Sequence, residues 1–248
     1  MSEKTKRYSS EGVIDSGLRD YVLRVYNYMC AGLAISAVAA FLTIYLDPLR
    51  NLMFSTSTGH EVGFTPIGMV LSFSPVLIGM YFFSRQDSLT IERGKNLFWV
   101  YSTLTGMSLA SLGMVYTGES IALTFLVCAA LFAGMSIYGH ATKRDLTELG
   151  SFLIMGVWGL LLAFLVNMFL QSPAVDFIAS LVGVLVFTGL IAYDTQKIKN
   201  YYYATLENSG PTQASKASLV GAFMLYLDVI NLFVYLLRFL GIRRKNSE

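Results

Sequence analysis

Long apolar stretches alternate with short polar connections along almost the whole chain. Five stretches of 22 or 23 residues carry no charged side chain; they are 25–46, 62–84, 96–118, 120–142 and 149–171. Two further apolar stretches, 174–196 and 217–241, contain a few charged residues. Because about 20 apolar residues cross a hydrocarbon core as a helix, the pattern predicts an all-α integral membrane protein, a seven-transmembrane-helix bundle.

The polar remainder predicts a single domain. Residues 1–24 form a polar N-terminal segment, residues 25–241 form the transmembrane domain, and residues 242–248 form a short basic tail. The longest connections are 47–61 and 197–216, and no repeat or low-complexity block separates a second domain.

Composition excludes most soluble functions. Hydrophobic residues make up 54% of the chain and charged residues 14%, with a mean hydropathy of +0.56, whereas soluble domains carry about 25% charged residues. The net charge of +2 is too small for a nucleic-acid-binding protein. No phosphate loop, nucleophile elbow or HExxH motif occurs. We therefore expect neither an enzyme nor a bound cofactor.

Positive charge predicts the orientation in the membrane. With the N-terminus inside, 13 Lys and Arg residues fall on the cytoplasmic side and 5 on the outer side, as the excess of positive charge in cytoplasmic loops requires. The basic tail, GIRRKNSE, is the exception. Either the last apolar stretch crosses fully despite this tail, or it is re-entrant and both termini are cytoplasmic; its length favours a full crossing.

Asp228 lies in the middle of the last apolar stretch. An acid at the centre of the bilayer costs at least about 2.5 kcal/mol on insertion scales, so we expect it to face the interior of the bundle. At 100° per residue, Asn231, Tyr235 and Arg238 fall within one quadrant of Asp228. This polar stripe either lines a polar interior or is a structural cluster that hydrogen bonds to neighbouring helices.

Asp194 lies near the cytoplasmic end of the sixth predicted helix. Taken alone, it is an interfacial acid paired with Lys197. If it meets Asp228 in a low-dielectric site, the two carboxyl groups cannot both ionise cheaply and share a proton. Such a pair would be a proton sensor and, once deprotonated, an oxygen-ligand site for Ca2+.

Other polar and small residues have ordinary interpretations. His140, near Lys143 and Arg144, is an interfacial residue or a proton relay. Small residues recur at four-residue spacing on the third predicted helix (Ser102, Gly106, Ala110) and on the fourth (Ala130, Gly134). They predict two helix-packing surfaces.

Three segments resemble a known family. AYDTQKI and LYLDVINLFVYLLRFLG are similar to the sixth and seventh helices of the Bax inhibitor-1 (transmembrane Bax inhibitor motif) family, and SIYGHATKRDLTELGSFL is similar to its central cytoplasmic turn. The resemblance implies six helices around a central seventh helix, and a Ca2+ leak gated by pH through a di-aspartyl pair at Asp194 and Asp228. It also implies an arginine latch onto Asp194, for which Arg85 and Arg93 are both candidates.

The expected partners follow from this resemblance. They are the lipid bilayer, Ca2+ and protons, in a bacterial inner membrane with the N-terminus in the cytoplasm. One alternative is a membrane regulator, such as a modulator of a membrane-anchored AAA protease or of a stress response, with the N-terminal segment as its contact. Another is a proton-coupled cation exchanger, which also needs buried acids.

Overall fold

A computed structural model describes the backbone of residues 3–56, 62–208 and 211–244 and the side chains of 16–55, 63–204 and 214–244. The elements in chain order are α1 (Glu3–Tyr45), α2 (Asp47–Met53), β1 (Phe54–Thr56), β2 (Val62–Phe64), α3 (Pro66–Arg85), α4 (Ile91–Val115), α5 (Gly118–Ala141), α6 (Thr147–Leu170), α7 (Pro173–Asn208) and α8 (Pro211–Leu240). Residues 57–61, which are part of the predicted connection 47–61, and the last four residues of the tail lie outside the described residues.

Six of these helices are long and apolar enough to cross a membrane: α1, α3, α5, α6, α7 and α8. The chain is therefore an all-α, multi-pass membrane protein. The remaining long helix, α4, has 25 residues but begins with a charged first turn and does not meet the same hydropathy criterion. Of the six, α8 is the most buried, with 56% of its apolar stretch covered against 17 to 33% in the others.

Threonine caps begin three of the helices. The Thr65 side chain accepts a hydrogen bond from Gly68 N at the start of α3, and Thr90 and Thr117 do the same at the starts of α4 and α5. Each cap satisfies one backbone N–H that has no partner within the helix. A count of charge-free residues cannot find these starts, because the caps and first turns are polar.

The connection after α1 forms two elements that the sequence analysis did not predict. The short helix α2 leads into an antiparallel hairpin, β1 with β2, in which Phe54 pairs with Phe64 and their rings lie 5.1 Å apart. Because β2 takes up residues Val62–Phe64, helix α3 starts at Pro66 rather than at the predicted residue 62.

The predicted long connection 197–216 is also mostly helical. Helix α7 continues to Asn208 and α8 already begins at Pro211, so the polar stretch extends both helices beyond their apolar parts. The apolar pattern marks only the part of a helix that meets lipid. Beyond that part the helix can continue into water, because its backbone hydrogen bonds persist where the side chains are polar. In the same way, α1 begins at Glu3, far before the predicted start of its apolar stretch at residue 25.

The bundle has two ends, which we call the near end and the far end. The near end holds Tyr21, whose ring lies 5.1 Å from that of Tyr202, and Lys216, whose Nζ donates to Asp87 O. At the far end, Arg243 forms a backbone bridge with Tyr116. Helix α8 runs as one continuous helix between these ends, so the C-terminal segment lies at the opposite end of the bundle from Tyr21 of α1.

The main buried core lies between the long helices α1 and α3 to α8. Its densest part is aromatic: the ring of Phe223 lies 4.6 Å from that of Phe82, 4.6 Å from that of Tyr101 and 5.2 Å from that of Phe98. On α4, Ser102, Gly106 and Ala110 are buried, and a Cβ on Gly106 would lie 2.3 Å from Ser36 O of α1. The predicted packing surface of α4 is therefore confirmed.

The predicted packing surface on α5 is wrong. Ala130 and Gly134 are exposed, and a Cβ on Gly134 would meet nothing within 4 Å in the described part of the chain. Small residues at four-residue spacing permit a close helix contact but do not require one. On α5 the close contact is made on a different side of the helix, at Gly139.

Candidate functional site

Asp194 of α7 and Asp228 of α8 lie opposite each other in the interior of the bundle. Asp194 is 8% exposed and Asp228 is 4% exposed. Their carboxyl groups lie close enough to interact electrostatically with each other. A carboxylate has no donor, so a hydrogen bond between two carboxyl groups needs one proton. The geometry therefore favours a pair that holds a single shared proton.

The pair has little other polar support. Within the described residues, Asp228 Oδ2 is buried without a hydrogen-bond partner. An unpaired buried acceptor costs about 1 to 3 kcal/mol, and more if it carries a charge. This cost disfavours ionisation of both acids in the arrangement that the structure shows.

Close helix contacts fix the turn of α7 that carries Asp194. A Cβ on Gly139 of α5 would lie 2.2 Å from Ala192 O, and a Cβ on Gly150 of α6 would lie 2.3 Å from the ring of Tyr193. Both distances are far below a normal contact, so only glycine lets α5 and α6 approach this turn so closely. Asp194 directly follows these two contact positions.

Hydrogen bonds hold the next two residues of the same turn. Thr195 Oγ1 donates to Ser136 Oγ of α5 at 3.3 Å, and Ser136 also hydrogen bonds to the hydroxyl of Tyr26 on α1. The Gln196 side chain makes two bonds to the α5–α6 connection: Nε2 donates to Arg144 O at 2.8 Å, and Oε1 accepts from Leu146 N at 2.9 Å. Asp194 thus sits on a rigid support.

Two contacts hold α8 around Asp228. The hydroxyl groups of Tyr226 and Ser36 hydrogen bond at 2.7 Å, which ties α8 to α1. On the other side, the Cys128 thiol of α5 lies 3.7 Å from Val229 O as a weak donor. Cys128 is buried and Cys30 is exposed, and both are free thiols.

The polar stripe of α8 follows α7 towards the far end. Asn231 Nδ2 donates to Leu227 O of its own helix at 2.8 Å. The Tyr235 ring stacks on Phe187 with centroids 5.7 Å apart, in a space left by Gly183. Arg238, farther along, lies 3.6 Å from Asp176 at the start of α7. Tyr235 and Arg238 thus face the same helix as Asp228.

The arginines considered as a latch lie at the near end. Arg85 ends α3, Arg93 is in the first turn of α4, and both side chains are exposed. Neither forms a salt bridge with Asp194 in the described part of the chain. The cation that acts on Asp194 in this arrangement is Lys197, one turn further along α7.

Two cavities lie near the pair on the side of the near end. One, of about 250 Å³, is lined by Tyr21, Asp87, Lys197 and Lys216 among others. The other, of about 10 Å³, lies between Tyr26, His140 and Thr195. His140 thus lies beside the residues that support Asp194, and it contributes its backbone O to Lys199 Nζ at 2.8 Å.

The pair offers carboxylate oxygens but not a complete metal site. No group of three or more His, Cys, Asp or Glu side chains that could hold a metal ion is found among the described residues. Ca2+ prefers six to eight oxygen ligands, so the two carboxylates alone do not complete its coordination shell.

Several residues that position the site were missed by the sequence analysis. Gln196 lies within the quoted segment AYDTQKI, and Gly139 and Gly150 lie within SIYGHATKRDLTELGSFL. The sequence signal for Gln196 was its place among the polar residues that directly follow the acid Asp194 in an apolar context. Asp176 was missed as the partner of Arg238, because the distance between them along the chain hides the contact.

A comparison with known protein families finds a match over most of this chain. A family model described as "Inhibitor of apoptosis-promoting Bax1" matches residues 18–245. The chain belongs to the Bax inhibitor-1 family. The match covers most of α1 and all of the later long helices, so both aspartates lie within the matched region.

Bacterial relatives of this family member extend over nearly its whole length. An uncharacterized protein of Rickettsia prowazekii is 49% identical over 95% of both chains. An uncharacterized protein of Caulobacter vibrioides is 43% identical over 94% of this chain and 92% of its own. "Inner membrane protein YbhL" of Escherichia coli K12 is 39% identical over 92% of this chain and 94% of its own.

Proposed function

We propose that this protein is a pH-sensitive cation leak channel, with Ca2+ as the permeant ion, gated by protonation of the Asp194–Asp228 pair. It is a channel rather than an enzyme. The observation that carries the proposal is the meeting of two buried carboxyl groups between α7 and α8. Because a buried carboxyl group within a membrane-spanning helix is costly, two such groups that meet favour a functional role over a purely structural one.

The architecture that we propose has seven crossings with α8 at the centre. Helix α8 packs against α1, α4, α5 and α7 and is the most buried span. Counting α4 as a crossing makes α1 and α8 run in the same direction, as their contacts at the near and far ends require. The near end then faces the cytoplasm of a bacterial inner membrane, because most Lys and Arg residues fall on that side.

Loss of the shared proton supplies the gating force. Two unit charges about 4 Å apart repel by about 4 kcal/mol at an effective dielectric constant of about 20. That exceeds the net contribution of about 0.5 to 1.5 kcal/mol from one hydrogen bond. Deprotonation therefore pushes α7 and α8 apart at Asp194 and Asp228, and the exposed carboxylates attract a cation. The protonated, packed arrangement is the low-conductance state.

The charged and titratable groups around the pair set the direction of ion access. Five such groups lie close to the two acids or to their supporting residues: Lys197 on α7, Tyr26 on α1, His140 and Cys128 on α5, and Tyr226 on α8. Lys197 borders the larger near-end cavity. Protons and ions on the cytoplasmic side are thus expected to reach Asp194 first.

The test is Ca2+ flux into proteoliposomes between about pH 5 and pH 8, a range in which perturbed carboxyl groups can titrate. The purified protein is expected to conduct more at high pH. Asp228→Asn and Asp194→Asn keep a neutral hydrogen-bonding partner and are expected to hold flux at its low level at every pH. Asp145→Asn, which removes an exposed acid outside the spans, is the matched control and is expected to behave like the parent protein.

Two results would overturn the proposal. Unchanged flux and pH dependence in Asp228→Asn would remove the gating role of the pair. Absence of Ca2+ flux in well-folded parent protein would favour the regulatory alternative. In that case deletion of residues 2–15, which leaves α1 from Ser16 onward, is expected to abolish the cellular phenotype, whereas a leak channel is expected to keep its flux after this deletion.

A further inference from the structure

The polar stripe of α8 ends at the far end in a cavity of about 160 Å³ between α6, α7 and α8. The volume has room for several water molecules, each of which takes up about 30 Å³ in the liquid. Its lining includes the apolar Leu160 and Phe164 and the polar Asn167, Asp176, Tyr235 and Arg238. The cavity therefore combines an apolar wall with a cluster of polar groups from three helices.

Asp176 and Arg238 face each other in this cavity without a tight bond. The Arg238 Nη1 to Asp176 Oδ1 distance is 3.6 Å, and the two side chains are 33% and 42% exposed. A charge-assisted hydrogen bond would be about 2.7 to 2.9 Å long, and exposed ion pairs contribute only about 0 to 1 kcal/mol. The guanidinium is thus close enough to neutralise Asp176 but is weakly held.

The other polar groups in the cavity present oxygen atoms. Asn167 Oδ1 accepts a hydrogen bond from Ser172 N at 2.9 Å and retains a second lone pair. The Tyr235 side chain lies within electrostatic range of both Arg238 and Asp176, and the guanidinium carbon is 5.9 Å from its ring. A carboxylate, an amide oxygen and a hydroxyl are ligands for a hard cation.

We infer that Asp176, Asn167 and Tyr235 form an outer site for a divalent cation, and that the Arg238 guanidinium occupies it as a tethered cation when no ion is bound. An ion that arrives from the far side displaces the guanidinium from Asp176. This inference rests on the proposed function only in placing the site at the outer mouth of the same route. Asp228 lies ten residues back along α8, about 15 Å at 1.5 Å per residue.

One carboxylate and two neutral oxygens make a weak site. Sites with few charged ligands bind Ca2+ with dissociation constants of about 10⁻⁴ to 10⁻³ M. Such an affinity allows an ion to bind and leave quickly. Removal of the competing guanidinium is expected to tighten Ca2+ binding about tenfold, which corresponds to about 1.4 kcal/mol.

The test measures binding of radioactive Ca2+ by equilibrium dialysis, in purified protein that carries Asp194→Asn and Asp228→Asn. This background removes the inner acids, so the result does not depend on whether the proposed gating is correct. Arg238→Gln is expected to gain affinity about tenfold, and addition of Asp176→Asn is expected to abolish that gain. Arg238→Lys retains a tethered cation and is expected to bind like the background protein.

Arg243→Gln is the matched control, because it removes the same charge from the far end at an exposed position outside the cavity. The inference is overturned if Arg238→Gln and Arg243→Gln change Ca2+ affinity equally. It is also overturned if Arg238→Gln and Asp176→Asn only lower the melting temperature, since a merely structural ion pair would give that result. In the background with both inner aspartates, Arg238→Gln is expected to raise flux without moving its pH midpoint.

Discussion

Gly139→Ala is a sharp perturbation of the support of Asp194, because it adds one methyl group at the tightest contact between α5 and α7. The new Cβ would lie 2.2 Å from Ala192 O and 2.9 Å from Ala192 Cα. Both atoms belong to the backbone of α7, so no side chain can rotate away. The two helices must move apart, and Ala192 is only two residues from Asp194.

The expected size of the effect follows from these distances. Carbon atoms in normal contact are about 3.5 to 4.0 Å apart, so the helices must separate by roughly 1 Å at this point. Overpacking of this kind costs about 1 to 3 kcal/mol. Alanine has a higher helix propensity than glycine, by about 1 kcal/mol, which offsets part of the loss. We expect a net destabilisation of up to about 2 kcal/mol relative to the parent protein.

Gly134→Ala is the matched control in the same helix. A Cβ at Gly134 meets nothing within 4 Å in the described residues, so the helix-propensity gain is expected to appear there without a clash. Thermal unfolding in detergent is expected to place the melting temperature of Gly139→Ala below that of the parent protein and that of Gly134→Ala at or above it. Proteoliposome flux is expected to show a displaced pH midpoint for Gly139→Ala only.

Equal melting temperatures of the two glycine variants would contradict the expected clash at Gly139. A Gly139→Ala variant that is clearly destabilised but keeps the parent pH midpoint would contradict the expected effect on gating. In that case the position of Asp194 relative to Asp228 would not depend on the α5–α7 contact.

Three further outcomes can be checked. Gln196→Ala leaves the buried N–H of Leu146 unpaired and is expected to cost about 2 to 3 kcal/mol in denaturant unfolding. Tyr226→Phe removes one buried hydroxyl bond and is expected to cost about 1 kcal/mol in the same assay. The Thr147 side-chain and backbone hydrogen bonds lower the pKa of Asp145; they stabilise the fold above the ordinary carboxyl pKa, and this contribution disappears as pH falls through the lowered pKa. Thr147→Val is expected to raise the Asp145 pKa, as measured by NMR titration.

The sequence contained enough information to single out Asp228, whereas its meeting with Asp194 was only implied by the family resemblance. Asp228 stands in an apolar stretch where an acid is costly, and helical periodicity places Tyr235 and Arg238 on its face. The structure shows that face against α7, beside Asp194. The cost of an acid in an apolar stretch and the helical periodicity around it depend only on neighbouring residues, so both can be evaluated from one sequence.

The contacts that position the pair could not be predicted in this way. Gly139 makes a close helix contact and Gly134 makes none, although both are glycines of α5 in an apolar context. The difference depends on which way the neighbouring helix α7 approaches. For the same reason, Asp176 and Arg238 could not be paired from the sequence, since the contact depends on the packing of α7 along α8.

The C-terminal segment restricts how α8 can move. Arg244 N donates to Val115 O, Thr117 N donates to Ile242 O, and Ile242 N donates to Ser120 Oγ. These bonds attach the segment after α8 to the α4–α5 connection. Helix α8 therefore cannot shift along its own axis without breaking them. The motion that they leave open is a lever-like swing about the far end, which has its largest amplitude in the half of α8 that precedes Asp228.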